Sequence, residues 1–403
     1  MINSKSLTLF LVLTIPLVFG CKNNNALTDS STELFDIVTA LNKTDTIHLS
    51  SIASKIKYVR LQSDSSCFIG RIKLPLSENV KYIDNKFFIS DRSSMSILAF
   101  TSDGTFIRRL GRKGRGPGEY IDITDFTFIP EKEQLAILCG AGCNKIYLYQ
   151  LSGEFIKEIK VDFYPTNIIS FNNRLVLINS RQYRHQSNYY TITLISDKGE
   201  ILKRIISHVN EKSQLSIGGP RTYILGNTLH YYEPVYDTTW RISHNLEVES
   251  KSIVQYGDKL PFIDPSTSQD QILKFLSDRV TLSTFIESIK YIFYEINNRG
   301  KQNHILYDKS TKKSYNLPFD KNLKDIGIVS FRNDIDHGPP FWPVGNISDK
   351  EMFSIINVSA IKKYYASNEN QFNRLRESNN ALFKLLQQSD INDNPIIMIV
   401  SLK

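Results

Sequence analysis

The stretches ILAFTSDGTFIRRL (Ile97 to Leu110), IYLYQLSGEFIKEI (Ile146 to Ile159) and ITLISDKGEILKRI (Ile192 to Ile205) superimpose with a glycine at the same step: Gly104, Gly153 and Gly199. Each opens with an apolar run, turns at the glycine and resumes with a second apolar run that carries basic residues. A strand, turn and strand recurring every 46 to 49 residues cannot bury its own faces and must stack on its neighbours. The pattern predicts a closed array of small sheets, an all-β propeller.

A second set of hairpins lies upstream of the glycine units. Val80 to Ser90 turns at Asp84-Asn85, Phe126 to Leu138 at Glu131-Lys132-Glu133, and Ile168 to Ile178 at Asn172-Asn173. Three more follow: Tyr223 to Tyr232 turning at Gly226-Asn227, Phe285 to Tyr294 at Glu287-Ser288, and Ile347 to Val358 around Asp349-Lys350. All are apolar runs broken by short polar turns, and six of them predict six blades. Five blades fall at about 79–111, 122–161, 166–207, 220–255 and 284–318, with outer hairpins near Asn245 and Lys309 to Lys313 in the last two. The sixth has Met352 to Val358 and Ile396 to Leu402, and its missing strand is expected from the N-terminal stretch Ile47 to Leu61. Such a closure removes the open sheet edges. Two insertions read as helices: 266–282, and an amphipathic stretch over 360–389 in the last blade, with Phe372, Leu375, Leu382, Leu385 and Leu386 on one face.

The 403 residues carry a formal charge of +8, or +7 without the leader and its Lys5. Spread over such a length, that excess argues against a nucleic-acid partner and suits mild attraction to anionic surfaces or ligands. Residues 1–20 read as a signal peptide: Lys5, an apolar core from Leu7 to Phe19, then Gly20 before Cys21. That core is shorter than the roughly 20 residues that span a bilayer. Leu17 to Cys21 (LVFGC) resembles the lipobox of bacterial lipoproteins, with the bulkier Phe19 as its departure from the usual pattern. The resemblance implies lipidation at Cys21 and anchoring to the outer membrane, periplasmic or surface-exposed, with 21–44 as a polar tether and 45–403 as the propeller. In an oxidising envelope Cys139 and Cys143, separated by Gly-Ala-Gly, can close a disulfide or remain two small buried thiols. No metal site or cofactor is expected, since no second close cysteine pair or His-x3-His completes a ligand set.

Leu110 to Tyr120 (LGRKGRGPGEY) resembles a glycine-rich segment, G-x-x-G-x-G-P-G-E-[YF], of the six-bladed propeller lipoproteins of Bacteroidetes, distant relatives of the NHL-repeat propellers. Gly111, Gly114, Gly116, Pro117, Gly118, Glu119 and Tyr120 carry the match. The asparagine-rich tether, the PPFWP loop (Pro339 to Pro343) and the Asp-Asn-Pro segment (Asp393 to Pro395) extend it along the mature chain. The resemblance implies a fold and a location, without an assigned reaction.

Two segments are candidates for ligand binding. Arg108, Arg109, Arg112, Lys113 and Arg115, between freeing glycines, can present cations and amides to a carboxylate, sulfate or uronic acid. Glu119 and Tyr120 complete this candidate ligand site; the other reading is an inter-blade crossover, in which the glycines allow a tight path, Pro117 stiffens it and Glu119 neutralises a neighbouring arginine. His337, Phe341 and Trp342, in a proline-stiffened loop, can wall a sugar or peptide site, or simply pack. Enzymatic signatures are weak. The sialidase Asp-x-Gly step is replaced by Asp103-Gly104, and no G-x-S-x-G occurs. Carboxylates near strand ends (Asp91, Asp125, Asp237, Glu295) are the positions to inspect for a glycoside-cleaving pair, or serve as blade-stabilising acceptors. The expectation is a cell-envelope binding module for an unknown glycan, peptide or envelope protein. The alternative is a metal-dependent hydrolase or lyase, lactonase-like or glycan-acting, with its site in the central channel.

Overall fold

A computed structural model describes residues 33–72, 76–140, 143–179, 190–205, 221–232, 238–255, 267–317, 331–378 and 381–403. The first two strands among the described residues, β1 (Glu33–Asp36) and β2 (Ala53–Arg60), complete sheets that form later. Blade 1 is β3 (Val80–Ile83), β4 (Lys86–Asp91), β5 (Ser96–Thr101) and β6 (Phe106–Leu110). Blade 2 is β7 (Asp125–Ile129), β8 (Gln134–Cys139), β9 (Lys145–Gln150) and β10 (Phe155–Lys160). Blade 3 is β11 (Pro165–Phe171), β12 (Arg174–Asn179), β13 (Ile192–Ile195) and β14 (Ile201–Ile205). Blade 4 is β15 (Arg221–Leu225), β16 (Thr228–Tyr232), β17 (Thr238–Ile242) and β18 (Val248–Gln255), with β1 added in parallel beside β18. Blade 5 is β19 (Val280–Glu287), β20 (Tyr291–Asn298), β21 (Lys301–Asp308) and β22 (Lys313–Leu317). Blade 6 is β23 (Gly345–Asn346), β24 (Glu351–Ile356), β25 (Ile396–Leu402) and β2. The fold is therefore an all-β, six-bladed propeller, and the N-terminal strand closes its last blade by pairing antiparallel to β25.

The glycine register has a local cause. Gly104, Gly153 and Gly199 lie at φ of 91°, 98° and 88°, each donating its amide three residues back, to Thr101, Gln150 and Ser196. The pairing slips by one residue in the adjoining strands of all three hairpins. This is the three-residue hairpin in which a left-handed residue forms a bulge. Blade 4 makes the same turn with Leu246 at φ 64°, so its hairpin survives without the glycine. The inner hairpins at Asp84-Asn85 and Asn172-Asn173 hold both central residues at positive φ, the tight turn that matches the twist of paired strands.

Cohesion comes from apolar clusters between successive blades. Phe88 of blade 1 stacks on Phe128 of blade 2 at 4.8 Å, Tyr232 of blade 4 meets Phe285 of blade 5 at 4.0 Å, and Phe87 meets Phe353 across the closing junction at 5.6 Å.

Three boundaries differ from the sequence reading. The helix expected over 266–282 is confined to Gln269–Ser277. Val280 and Leu282 instead pair with Asn298 and Ile296 as strand β19, where residues two apart share one face of the sheet and both are buried. The stretch over 360–389 is three helices, Val358–Ala366, Glu369–Glu377 and Ala381–Gln388. The first ends where the Asn368 side chain takes the Tyr364 carbonyl. Leu375, Leu382 and Leu386 do reach the core, joining blades 5 and 6. The tether boundary at 44 also moves back to at least residue 33, since β1 sits in blade 4 and buries Phe35 and Ile37.

Candidate functional site

The first strand of each blade faces the axis. Asp125 accepts from the Ile168 amide (2.8 Å) and Thr127 from the Ser170 amide (3.1 Å), so β7 and β11 run in parallel register along the channel. Six such strands enclose a cavity of about 460 Å³. Its wall mixes rings (Tyr82, Phe128, Tyr223, Phe285) with amides (Asn167, Asn172, Asn227, Asn346) and four charges near the heads of the strands: Glu78, Lys81, Asp125 and Arg221.

These charges are organised by chemistry. Lys81 on β3 reaches the next blade, donating to Asp125 and to the Phe126 carbonyl, both at 2.6 Å. Glu78 lies in the short helical turn Leu76–Asn79, just before β3, and pairs with Arg221 at the head of β15. Blades 1 and 4 are opposite members of a six-membered ring, so this ion pair crosses the opening. Three residues of the wall each carry a buried polar atom without a hydrogen-bond partner: Asn167 Oδ1, Arg221 Nε and Asn346 Oδ1. Unpaired buried polar atoms are rare and costly, about 1–3 kcal/mol each.

Further along the channel, between blades 4 and 5, Glu287 accepts from the Tyr223 hydroxyl and from Lys309, with the His230 ring stacked on Tyr223. Burial, reinforced by Glu287, raises the Tyr223 hydroxyl well above its ordinary range. Tyr223 is therefore a neutral donor at all physiological pH. Asn346 ties the same carboxylate residue to blade 6 through its backbone carbonyl, at 2.7 Å.

Of the residues singled out from sequence, Asp125 lines the channel, while the two candidate segments lie elsewhere and belong to different junctions. Leu110 to Tyr120 crosses from blade 1 to blade 2. Arg112 and Glu119 form an ion pair, and the Gly116 amide together with Arg112 holds the Glu119 carboxyl below its ordinary range. Tyr120 is buried, its hydroxyl on the Met95 carbonyl at 2.8 Å. Lys113 and Arg115 are exposed. Between blades 5 and 6, Phe341 and Trp342 are buried and His337 is exposed. The indole of Trp342 donates to Glu295 at 3.0 Å and meets His304 edge-on at 4.6 Å. Burial raises the Glu295 carboxyl and lowers His304 to about 4, so both favour their neutral forms.

Asp91 and Asp125 act as blade fasteners. Burial pushes the Asp91 carboxyl up, but hydrogen bonds from Ser94, Arg71 and Ser93 outweigh it and hold it below the usual range. Cys139 and Cys143 are joined as a disulfide, with Cα atoms 5.6 Å apart. Cys21 and Asp237 lie outside the described residues. Among the described residues no group of three metal-ligating side chains converges, and no helix is long and apolar enough to cross a membrane.

The sequence reading missed Glu78, Lys81, Asn167, Tyr223, Arg221 and Asn346. The available signal was a charged or amide residue at the head of an otherwise apolar inner strand, repeated at Lys81, Asp125, Asn167 and Arg221.

Among solved structures, the chain is similar to a Bacteroides fragilis protein provisionally named as exported. That likeness has a TM-score of 0.68 at 21% identity and covers 92% of this chain and 99% of that one. It is also similar to a member of the DUF4221 family from Bacteroides vulgatus, with a TM-score of 0.52 at 10% identity, covering 87% and 97%. Virginiamycin B lyase from Staphylococcus aureus aligns at a TM-score of 0.37 and 14% identity over 66% of this chain and 75% of that one, too distant for its reaction to carry over. No curated protein matches the sequence. Residues 32–401 match the family described as "Domain of unknown function (DUF4934)", and with nearly the whole chain inside that match, the protein belongs to this family.

Proposed function

We propose that the protein is an exported, lipid-anchored propeller of the cell envelope that binds a small ligand in its central channel and does no chemistry on it. The observation that carries this reading is the cavity of about 460 Å³ whose wall holds Asn167, Arg221 and Asn346 with unpartnered buried polar atoms. The volume falls within the roughly 300–1,000 Å³ of small-molecule sites, and rings beside a few placed polar groups are what such sites use. The candidate strand-end carboxylates that lie in the described residues fasten blades or accept from the Trp342 indole. Export is supported by the leader before Cys21, by the exported name given to the similar Bacteroides fragilis protein, and by a disulfide suited to an oxidising compartment.

The test is a thermal-shift screen of the mature chain against saccharides, amino acids, peptides and carboxylates. It is run beside Ser170→Trp, which fills the channel from β11. Expected is a Tm increase that grows with ligand concentration and vanishes in Ser170→Trp while the variant stays folded. A ligand that stabilises both forms equally binds elsewhere and overturns the channel reading. Anchoring is tested separately by mass spectrometry of the mature N-terminus, where an unmodified Cys21 would overturn it.

A further inference from the structure

The ion pair across the channel mouth constrains what can enter. Glu78 and Arg221 come from opposite blades and meet over the cavity, so a ligand entering at this end must separate them. Separating a partly buried pair without replacing both partners strands a charge away from water. An anion would satisfy Arg221 but leave Glu78 facing a like charge. A cation would do the reverse, and a neutral sugar would replace neither. A small zwitterion inserted between them replaces both partners at once and leaves the net charge unchanged.

We infer that this mouth recognises a zwitterion of the free amino-acid or dipeptide type, its carboxylate on Arg221 and its ammonium on Glu78. The inference rests on the channel-binding reading above and names its ligand class. The unpartnered atoms have matching polarity. Arg221 Nε is a spare donor on the edge of the guanidinium that, with one terminal nitrogen, grips a carboxylate through two parallel hydrogen bonds. Asn167 Oδ1, on the blade beside that of Arg221, is a spare acceptor for one of the three ammonium protons, of which a single carboxylate does not use all. Below them, Tyr223, Phe285 and Phe353 line the cavity and offer an apolar bed for the ligand's side chain.

Calorimetric titration of the mature chain tests this with L-leucine and leucyl-leucine as zwitterions. Their N-acetyl forms serve as anions, their C-terminal amides as cations, and maltose as a neutral probe. Expected is binding of at least one zwitterion, with its N-acetyl and amide forms each weaker by about tenfold or more, the order of one lost charge-assisted hydrogen bond. Glu78→Gln and Arg221→Gln should each weaken the zwitterion to a similar degree while Arg221→Lys retains part of the affinity. Should either variant fail to fold, the blocked probes on the natural chain still decide. Equal or tighter binding of a blocked form sinks the inference, as does no heat from any zwitterion. If maltose or a blocked form binds and Ser170→Trp abolishes it, the channel reading survives and only the zwitterion assignment falls. If no probe binds and the broader screen is also blank, both fall.

Discussion

At His304 a single ring shows how burial turns into a pH response. The imidazole lies against Trp342 between blades 5 and 6, its Nδ1 unpartnered, and burial lowers its proton affinity from an ordinary 6.5 to about 4. The unfolded chain therefore binds a proton there that the folded chain refuses. The stability associated with the neutral ring is complete above pH 6.5, is lost as pH falls towards 4, and changes no further below that. Glu295, its partner in the ladder, has a raised affinity and responds with the opposite sign as pH rises above the ordinary carboxyl range. Comparing the natural chain with His304→Phe isolates the histidine, because the ring packing is kept and the titration removed. Guanidinium unfolding at pH 7.5 and 4.5 should show the natural chain losing more stability on acidification than the variant, by on the order of 3 kcal/mol. Equal losses would mean that the imidazole is solvated in the fold.

Among the elements, a clasp of hydrogen bonds joins the segment before β25 to the segment after β2. Asn394, buried just before β25, donates to the carbonyls of Gln62 (2.6 Å) and Cys67 (2.9 Å) and accepts from the Ile69 amide (2.8 Å). Beside it, Arg60 pairs with Asp393 at 2.7 Å. Asn394→Ala would take the side-chain partner from the Cys67 carbonyl and the Ile69 amide and leave the Gln62 carbonyl with only the Cys67 thiol, and the expected cost is about 3 kcal/mol. Asp393→Ala loses a partly exposed ion pair and should cost under about 1 kcal/mol. Denaturant midpoints check the order; a reversed order would place closure in the ion pair. The Asp-Asn-Pro segment was legible as a landmark, but its role was not, because its partners lie at the other end of the chain. The glycine hairpins were legible because each needs a left-handed residue at one fixed step. Leu246 supplies that conformation in blade 4 without the glycine, which is why that turn was harder to see. The four residues of β1 gave no alternation to read, and their pairing depends on an edge formed more than two hundred residues later. The channel site was the least legible part, since each blade contributes only one or two residues and Glu78 and Arg221 become neighbours only when the ring closes.

For the molecule as a whole, the two N-terminal strands do different jobs, and truncation separates them. The β2 strand closes the ring through a seven-position antiparallel pairing with β25, so a chain ending at residue 395 has an open blade 6 and an unmatched junction with blade 1. The β1 strand instead covers the outer edge of blade 4, placing Phe35 against Tyr307 at 4.6 Å and burying Ile37. A chain beginning at residue 45 keeps the closed ring but loses those two apolar side chains, each contributing about 1.5–3 kcal/mol when buried. It also bares the β18 edge, which can then pair with another chain. The expected outcomes are therefore unlike. The chain from 45 should melt cooperatively at a Tm lower by roughly 5–10 °C and elute partly as dimers or larger species. The chain ending at 395 should show no cooperative transition. Calorimetry with light scattering distinguishes these, and cooperative melting of both truncations would mean that the ring holds together through the apolar junctions between blades without its closing strand.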